Sequence, residues 1–325
     1  MTAALAEAVA TAAGGTLAGW RTVPGGDINA AMRVELADGR SLFAKHRDDP
    51  PAGFYAAEAV GLRWLGEAGA LPVPQVAAAD ERFLTLTWID AGPRRTGFEA
   101  TLGAGLARLH LAGADAFGAT PGDLPAFLGP IRLPTGGHAS GVDAPARGDG
   151  GRDPDAPARG DGGRDAGDDG VDSPRDRTWA QVYAEDRLGP LLRLASDGGA
   201  LTAQATSRVE RVIDRMDALA GPPERPARVH GDLWTGNVMA GPDGGPVLVD
   251  PAAHGGHRET DLAMLRLFGS PGPAFLDAYE DVAPLADGAE ERVALWQLAP
   301  LLLHAVLFGG GYGSAVDRAA RRYTD

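Results

Sequence analysis

The chain has 325 residues, 44% of them hydrophobic and 23% charged, which is typical of a globular protein with a substantial core. Its formal net charge is -14 at pH 7, so a basic surface for a nucleic-acid partner is not expected, although a small phosphorylated ligand is allowed. The absence of cysteine excludes disulfides, thiolate catalysis and cysteine-ligated zinc.

The N-terminal segment MTAALAEAVATAAGG has no basic leading region and contains an acidic residue, so it does not resemble a secretory signal. Leu5 and Val9 are one helical turn apart, and Gly14-Gly15 would end a helix. The longest nearly apolar run, ALWQLAPLLLHAVLF at 294–308, is too short to cross a bilayer and predicts a buried helix. We therefore expect a cytoplasmic protein that does not bind membranes.

Three strands are predicted between residues 16 and 46, in TLAGWRTV, AAMRVELA and RSLFAKHR. Asp38-Gly39, between the last two, favours a tight hairpin because both residues tolerate positive φ. Between the first two strands, PGGDIN contains Gly25 and Gly26, which would let the backbone approach phosphate oxygens. A Gly-Gly pair between strands is more often only a turn.

The next segment, GFYAAEAVGLRWLGEAG, has apolar residues at helical spacing. LPVPQV cannot be helical and leads into FLTLTWI, which predicts another strand. The first ninety residues thus predict the order β-β-β-α-β-β, a small antiparallel sheet with one helix.

Lys45 lies at the end of the third predicted strand, and Glu58 lies on the predicted helix among apolar neighbours. A carboxylate that faces the sheet needs a partner, because an unpaired buried charge is costly. An ion pair between the two is one interpretation. The other is that both charges are solvated.

From about residue 98 the patterns are mostly helical, except in 228–250, where short strands alternate with loops. A mainly β lobe (1–89) followed by a mainly α lobe (90–325) predicts a ligand cleft between them. Residues 136–177 contain ten Asp and six Arg and include a tandem copy of DAPARGDGGRD. We expect this segment to be a disordered insertion in a loop, because it has almost no apolar side chain to bury.

The sequence HGDLWTGN at 230–237 has the spacing of the kinase catalytic loop H-R-D-x-x-x-x-N, with glycine in place of arginine. Asp232 would orient the attacking hydroxyl, and Asn237 would bind Mg²⁺ through its amide oxygen. Asp250 ends the predicted strand PVLVD, where a second Mg²⁺ ligand is expected. Lys45, held by Glu58, would position the phosphates. Loop chemistry alone is the alternative interpretation, because His-Gly-Asp and Asp-Pro also occur in turns.

These residues resemble the fructosamine kinase (ketosamine-3-kinase) family of the aminoglycoside-phosphotransferase-like, protein-kinase-like superfamily. The resemblance is carried by GGDIN, the Lys45 strand, Glu58, HGDLWTGN and DPAAHGGHRETDLAML at 250–265, and it covers nearly everything outside 136–177. It implies an α+β, two-lobed protein-kinase-like fold with a small sheet lobe and a larger, mainly α-helical lobe.

The resemblance also implies that ATP and Mg²⁺ are used to phosphorylate the 3-hydroxyl of ketosamines, either free or on a protein, and in some family members this acts as protein deglycation. Trp234 would then form a wall of the sugar pocket, although core packing is an equal alternative. His304 is a second candidate for this pocket, and a hydrogen-bonded core histidine is its commoner role. Thr87, Trp88 and Ile89 are expected to form the lobe connector, whose backbone would bind adenine.

Glu259 and Asp261 open the predicted helix TDLAML, where negative side chains suit the first turn, so we interpret them as structural. Three other functions stay open. An aminoglycoside, choline or another hydroxylated amine could be the acceptor, or the chain could bind nucleotide without turnover. A metallohydrolase would use the histidines and aspartates of one region: His230, Asp232, Asp250, His254 and His257.

Overall fold

The structure is a computed structural model that describes residues 2–24, 29–135 and 176–324. Gly25, Gly26 and residues 136–175 of the expected insertion lie outside the described residues. The strands are β1 (Leu17–Val23), β2 (Ala30–Leu36), β3 (Ser41–His46), β4 (Val76–Ala79), β5 (Phe83–Thr87), β6 (Ala126–Leu128), β7 (Ile131–Leu133), β8 (Ala227–Val229), β9 (Val238–Ala240), β10 (Pro246–Leu248) and β11 (His254–Gly256).

The helices are α1 (Ala3–Ala12), α2 (Phe54–Glu67), α3 (Phe98–Leu111), α4 (Trp179–Val182), α5 (Gly189–Asp197), α6 (Ala203–Asp214), α7 (Met216–Leu219), α8 (Glu259–Leu265), α9 (Pro273–Glu280), α10 (Ala289–Trp296), α11 (Leu298–Phe308) and α12 (Tyr312–Arg321). A π-helical turn, Tyr183–Leu188, joins α4 to α5. Single 3₁₀ turns lie at Pro121–Asp123 and Thr235–Asn237.

The N-terminal part is a five-stranded sheet in the order β1-β2-β3-β5-β4, in which all neighbours are antiparallel. β2 and β3 are joined at Asp38-Gly39, as the sequence predicted, and Gly39 adopts a φ of 88° that favours glycine. Asp38 Oδ1 accepts a hydrogen bond from the backbone N–H of Arg40 at 3.0 Å. The small antiparallel sheet is therefore confirmed.

Helices cover both faces of this sheet, because side chains alternate along each strand. On β5, Phe83 packs with the cluster that contains α1, whereas Leu84 and Leu86 pack with Tyr55 and other buried residues of α2. Helix α1 is a second helix beside the one counted in the predicted β-β-β-α-β-β order. Alternation also places the strand partners of Leu84 and Leu86 on the α2 side.

The C-terminal part is mainly helical and contains two large hydrophobic clusters. Two short strand pairs, β8 with β11 and β9 with β10, hold the loops around residues 230–237 and 250–253. The two-lobed, protein-kinase-like α+β fold is thus confirmed.

Among the described residues, one helical stretch, Ala289–Phe308, has the length and hydropathy that a membrane span would need. This stretch comprises α10 and α11, and 56% of its most apolar segment is buried inside the protein. Leu298, Leu302 and Leu303 belong to the larger hydrophobic cluster. The predicted buried helix is therefore confirmed.

One hairpin was not indicated by the sequence patterns. Strands β6 and β7 pair antiparallel just before the segment that lies outside the described residues. The ring of Phe127 in this hairpin contacts the ring of Phe54 on α2, with centroids 5.3 Å apart. The hairpin thus connects the helical part to the helix beside the sheet.

Candidate active site

The cavity that holds the predicted catalytic residues lies between the sheet and the helical part, and its volume is about 680 Å³. This is the size of a small-molecule site. Lys45 and Glu58 line it from the sheet side, and Asp232, Asn237 and Asp250 line it from the loops of the helical part. Five side chains that are far apart in the sequence therefore meet in one cavity.

Lys45 lies on the face of the sheet that packs against α2, because its strand partner is Leu84. Its ammonium group forms an ion pair with Glu58 and a second one with Asp250 Oδ1 at 3.2 Å. Burial alone would lower the pKa of Lys45, but the charges of Glu58 and Asp250 outweigh burial and raise it. Lys45 is therefore held as a cation that faces the two carboxylates.

Asp232 and Asn237 are connected within their own loop. Asn237 Nδ2 donates to the Asp232 backbone carbonyl at 2.9 Å and to Asp232 Oδ2 at 3.3 Å. Burial and the charge of Asp250 raise the pKa of Asp232 to about 6, and the hydrogen bond from Asn237 partly opposes this. The amide nitrogen of Asn237 is thus committed to the loop. Its amide oxygen has no hydrogen bond to a described residue.

Asp250 adopts a left-handed backbone conformation, with φ of 53°, at the end of the segment that follows β10. Aspartate adopts this conformation more readily than most residues with a Cβ, and Asp49 and Asp123 adopt it as well. The Asp250 side chain is 45% exposed, although one of its oxygens contacts Lys45. Its carboxylate is therefore open to the cavity.

Gly231 occupies the position where the kinase catalytic loop has arginine. Its φ is 81°, and a Cβ at this position would lie 2.1 Å from the carbonyl oxygen of Ala252. The loop that carries Asp232 thus passes against the segment that follows Asp250. Only glycine fits this approach without moving one of the two loops.

Asp261 has a role that the sequence analysis missed. Its Oδ2 accepts the backbone N–H of His230 at 2.7 Å, and its Oδ1 accepts the backbone N–H of Gly231 at 2.9 Å. Burial would raise the pKa of Asp261, but hydrogen bonding and the charge of His110 outweigh it and lower the pKa. The interpretation as a helix-start residue is incomplete, because Asp261 on α8 also binds the backbone of the loop that carries Asp232. Glu259 pairs with Arg292 instead.

We expect Asp261→Asn to lower kcat by about 10- to 100-fold, because one backbone N–H would face an amide group in place of a charged acceptor. Asp261 does not line the cavity, so the KM for acceptor and for ATP should change little. Kinetic constants and thermal unfolding of the purified variant measure the two effects. Asp277→Asn, an exposed change on α9, is the matched control. An unchanged kcat in Asp261→Asn would contradict this role.

Trp234 and His304 line the same cavity as Asp232. Trp234 contacts Phe268 edge-on, with centroids 6.1 Å apart, and His304 also contacts Phe268, with centroids 5.1 Å apart. His304 Nδ1–H donates to the carbonyl of Pro300 at 2.6 Å, so its alternative role as a hydrogen-bonded histidine also holds. Trp234, Phe268 and Phe308 are 38%, 40% and 48% exposed, which places an aromatic rim at the cavity entrance.

Thr87 is the last residue of β5, and Trp88 and Ile89 follow it; none of the three lines the cavity described above. The N–H of Thr87 donates to Gln75, and the N–H of Trp88 donates to Ser41. Within the described part of the chain, the N–H of Ile89 has no hydrogen-bond acceptor. Of the three predicted connector residues, Ile89 therefore has the backbone donor that is available to a ligand.

The histidines proposed for a metallohydrolase are engaged elsewhere. His230 Nε2–H donates to Val249 and its Nδ1 accepts the N–H of Asp232, while His254 Nδ1–H donates to Ala252. His257 lies 3.7 Å from Glu224, away from the cavity. In the described ranges, no three or more His, Asp or Glu side chains form a metal-binding group. This arrangement does not support a hydrolase of that type.

Comparison with known proteins gives matches along nearly the whole chain. A sequence model described as fructosamine kinase matches residues 1–123 and 171–324, so 124–170 lie outside the match. A protein of Enterococcus faecium named "Probable ketoamine kinase" is 30% identical over 304 residues, which cover 93% of this chain and 94% of that protein.

Two solved structures extend the comparison. The crystal structure of a candidate fructosamine-3-kinase from Thermobifida fusca YX-ER1 superposes with a TM-score of 0.80 and 40% identity, covering 99% of both chains. A macrolide 2'-phosphotransferase from Brachybacterium faecium superposes with a TM-score of 0.58 and 17% identity, covering 98% of both chains. The second likeness shows the shared fold alone.

Proposed function

This chain belongs to the fructosamine kinase family, and we propose that it transfers the γ-phosphoryl group of ATP to the 3-hydroxyl of a ketosamine. The observation that carries the proposal is the position of Lys45, whose ammonium contacts both Glu58 and Asp250 in the cavity that also contains Asp232 and Asn237. These groups are what in-line phosphoryl transfer requires.

Asp232 orients the acceptor hydroxyl and takes its proton as the bond to the γ-phosphorus forms, while the bond between that phosphorus and the bridging oxygen breaks and ADP leaves. Its pKa is raised to about 6, which makes the carboxylate a better proton acceptor than an exposed aspartate. Because this pKa is still below 7, the carboxylate is mostly ionised at neutral pH. The contacts from Asn237 restrict the rotation of its carboxylate. Catalysis then depends on positioning and on charge neutralisation more than on strong base chemistry.

Asn237 and Asp250 are suited to Mg²⁺, because each presents an oxygen that the surrounding protein leaves open. Bound Mg²⁺ would neutralise phosphate charge and hold the phosphoryl group in line with the acceptor. Lys45 contacts the phosphate oxygens from the sheet side, and Glu58 fixes its direction. We propose the N–H of Ile89 as an adenine contact, and Gly25 and Gly26 as residues that cover the phosphates.

The acceptor lies between Asp232 and the aromatic rim. Trp234 and His304 would contact the sugar, and the exposed rings of Phe268 and Phe308 would contact the part that derives from the amine. An entrance of this kind supports adducts on proteins as well as free ones, so a role in protein deglycation is part of the proposal. Because ATP is an intracellular donor, we also propose a cytoplasmic location.

The test is mass spectrometry of the products formed from a synthetic fructosamine, a ribulosamine, an aminoglycoside and choline, each incubated separately with the protein and Mg-ATP. We expect one added phosphoryl group on a ketosamine, attached at the 3-hydroxyl, and at least about tenfold slower reaction with the other acceptors. Glycated lysozyme, incubated in the same way, tests whether ketosamines attached to a protein are also phosphorylated.

A control acceptor is the 3-deoxy ketosamine, which lacks the accepting hydroxyl and should bind but gain no phosphate. Phosphorylation of the aminoglycoside or choline alone would replace the proposed acceptor and leave the phosphotransferase intact. Mg-ATP binding without transfer to any acceptor would show a silent nucleotide-binding module and end the proposal.

A further inference from the structure

Arg187 is a buried cation in the wall of the cavity. Its side chain is 5% exposed and lines the cavity together with Leu303 and His254. Nη1 donates to the backbone carbonyl of Asp186 at 3.3 Å, and among the described residues no carboxylate oxygen lies within 4.0 Å of the guanidinium. A buried charge without a counter-charge is costly, so this arrangement needs a physical reason.

The nearest carboxylate is already used. Asp186 accepts from Arg177 Nη1 at 2.6 Å, and Arg177 also pairs with the exposed Glu185. The carboxylate of Asp186 is therefore occupied by Arg177, and among the described residues the guanidinium of Arg187 is left without a carboxylate partner. Burial lowers the pKa of Arg187, and the charge of Asp186 only partly opposes this effect.

The backbone around Arg187 is also unusual. It belongs to the π-helical turn Tyr183–Leu188, a conformation that is rare and occurs frequently at functional sites. The turn is fixed by the hydroxyl of Tyr183, which contacts the carbonyls of Leu295 and Trp296 at 3.2 and 2.9 Å. The turn that carries Arg187 is therefore anchored to the junction of α10 and α11.

We propose that Arg187 binds an anionic group of the acceptor substrate, a carboxylate or a phosphate, on the inner wall of the cavity. The inference rests on the proposed function and specifies its substrate class. A planar guanidinium matches the two oxygens of either anion, and low exposure strengthens the contact. The charged neighbours that act on Arg187 are Asp186 and Arg177, neither of which belongs to the loop that carries Asp232. Arg187 lines the same cavity as Asp232, so an anion bound by Arg187 would belong to the acceptor that Asp232 orients.

The two sources of the anion lie in different parts of a ketosamine. A carboxylate would belong to the amino acid whose amine was modified, and a phosphate would belong to the sugar. Three acceptors with the same sugar skeleton separate them: the fructose adduct of propylamine, that of β-alanine, and the 6-phosphate of the propylamine adduct. The first is neutral apart from its amine, and each of the others adds one anionic group.

With the wild-type protein we expect kcat/KM to be about 10- to 100-fold higher for one anionic acceptor than for the neutral one, the range given by a charge-assisted hydrogen bond. Arg187→Met should reduce this preference to within about twofold while keeping kcat/KM for the neutral acceptor within about threefold. Arg187→Lys should keep part of the preference. Arg193→Met, the same change on the exposed face of α5, should keep all of it.

Thermal unfolding separates this role from a structural one. Because Arg187→Met removes a buried charge that has no partner, its unfolding temperature should equal or exceed that of the wild type. Calorimetry without ATP measures the dissociation constants of the three acceptors, and this measurement does not depend on turnover.

Equal kcat/KM values for neutral and anionic acceptors in the wild type would overturn the anion site and leave the proposed function standing. Equal losses for all three acceptors in Arg187→Met, with a lower unfolding temperature, would also overturn it and indicate a structural arginine. Absence of phosphorylation of every ketosamine would refute the proposed function. In that case, equal dissociation constants for the three acceptors would refute the anion site as well.

Discussion

Asp232→Asn is expected to lower kcat for phosphoryl transfer by about 10³-fold, within the range that general-base residues contribute. Asparagine keeps the shape of the side chain and can still accept from Asn237 Nδ2, but it cannot take a proton from the acceptor hydroxyl. The affinity for Mg-ATP should change by less than about threefold, because this residue is assigned to the acceptor and not to the nucleotide. A coupled ADP-release assay measures kcat, and calorimetry measures nucleotide binding.

The matched control for Asp232→Asn is Asp214→Asn, which makes the same chemical change at an exposed position on α6. It should leave kcat and the unfolding temperature unchanged. If Asp232→Asn kept more than about a tenth of the wild-type kcat, Asp232 would not be the group that accepts the proton.

Lys45→Met is expected to lower kcat/KM by about 10²- to 10³-fold, the effect of removing one preorganised charge from a site of phosphoryl transfer. The KM for ATP should rise, because Lys45 is assigned to the phosphates. This variant should also be less stable by about 3–5 kcal/mol, because Glu58 would remain buried without its partner. Steady-state kinetics and urea unfolding measure the two losses independently.

A second substitution separates catalysis from folding. In Lys45→Met combined with Glu58→Leu, the buried pair is replaced by apolar side chains, and most of the lost stability should return. Activity should stay at the level of the single variant, because the cation is still missing. Recovery of activity together with stability would show that Lys45 acts through the fold and has no direct contact with the phosphates.

The elements around Lys45 could be predicted from local patterns. The strands that became β1, β2, β3 and β5 were predicted within about one or two residues, and so was α2. Period-two and period-3.6 patterns are local properties, and the Asp38-Gly39 turn specifies how two of the strands pair. The hairpin β6–β7 was missed because its strands are three residues long and lie among Pro and Gly.

The candidate site was predictable only where spacing carried information. Asp232 and Asn237 belong to one loop, so their contact follows from five positions of separation. Asp261 was interpreted from its place in the first turn of α8, whereas its contacts are with the backbone of residues 30 and 31 positions away. Arg187 gave no signal either, since an arginine in an amphipathic helical pattern is normally expected on the solvent side.

By itself the sequence determined most of the elements of the N-terminal sheet, the loop that carries Asp232 and Asn237, and the family to which the chain belongs, because these depend on short-range spacing and on residue identity. Tertiary structure decided which charges meet. Lys45 and Asp250 are 205 positions apart and come together only when the sheet closes on the helical part. The tertiary structure also decided that the charge of Arg187 has no carboxylate partner among the described residues. Pairing and burial are properties of the packed chain and are not encoded at any single position.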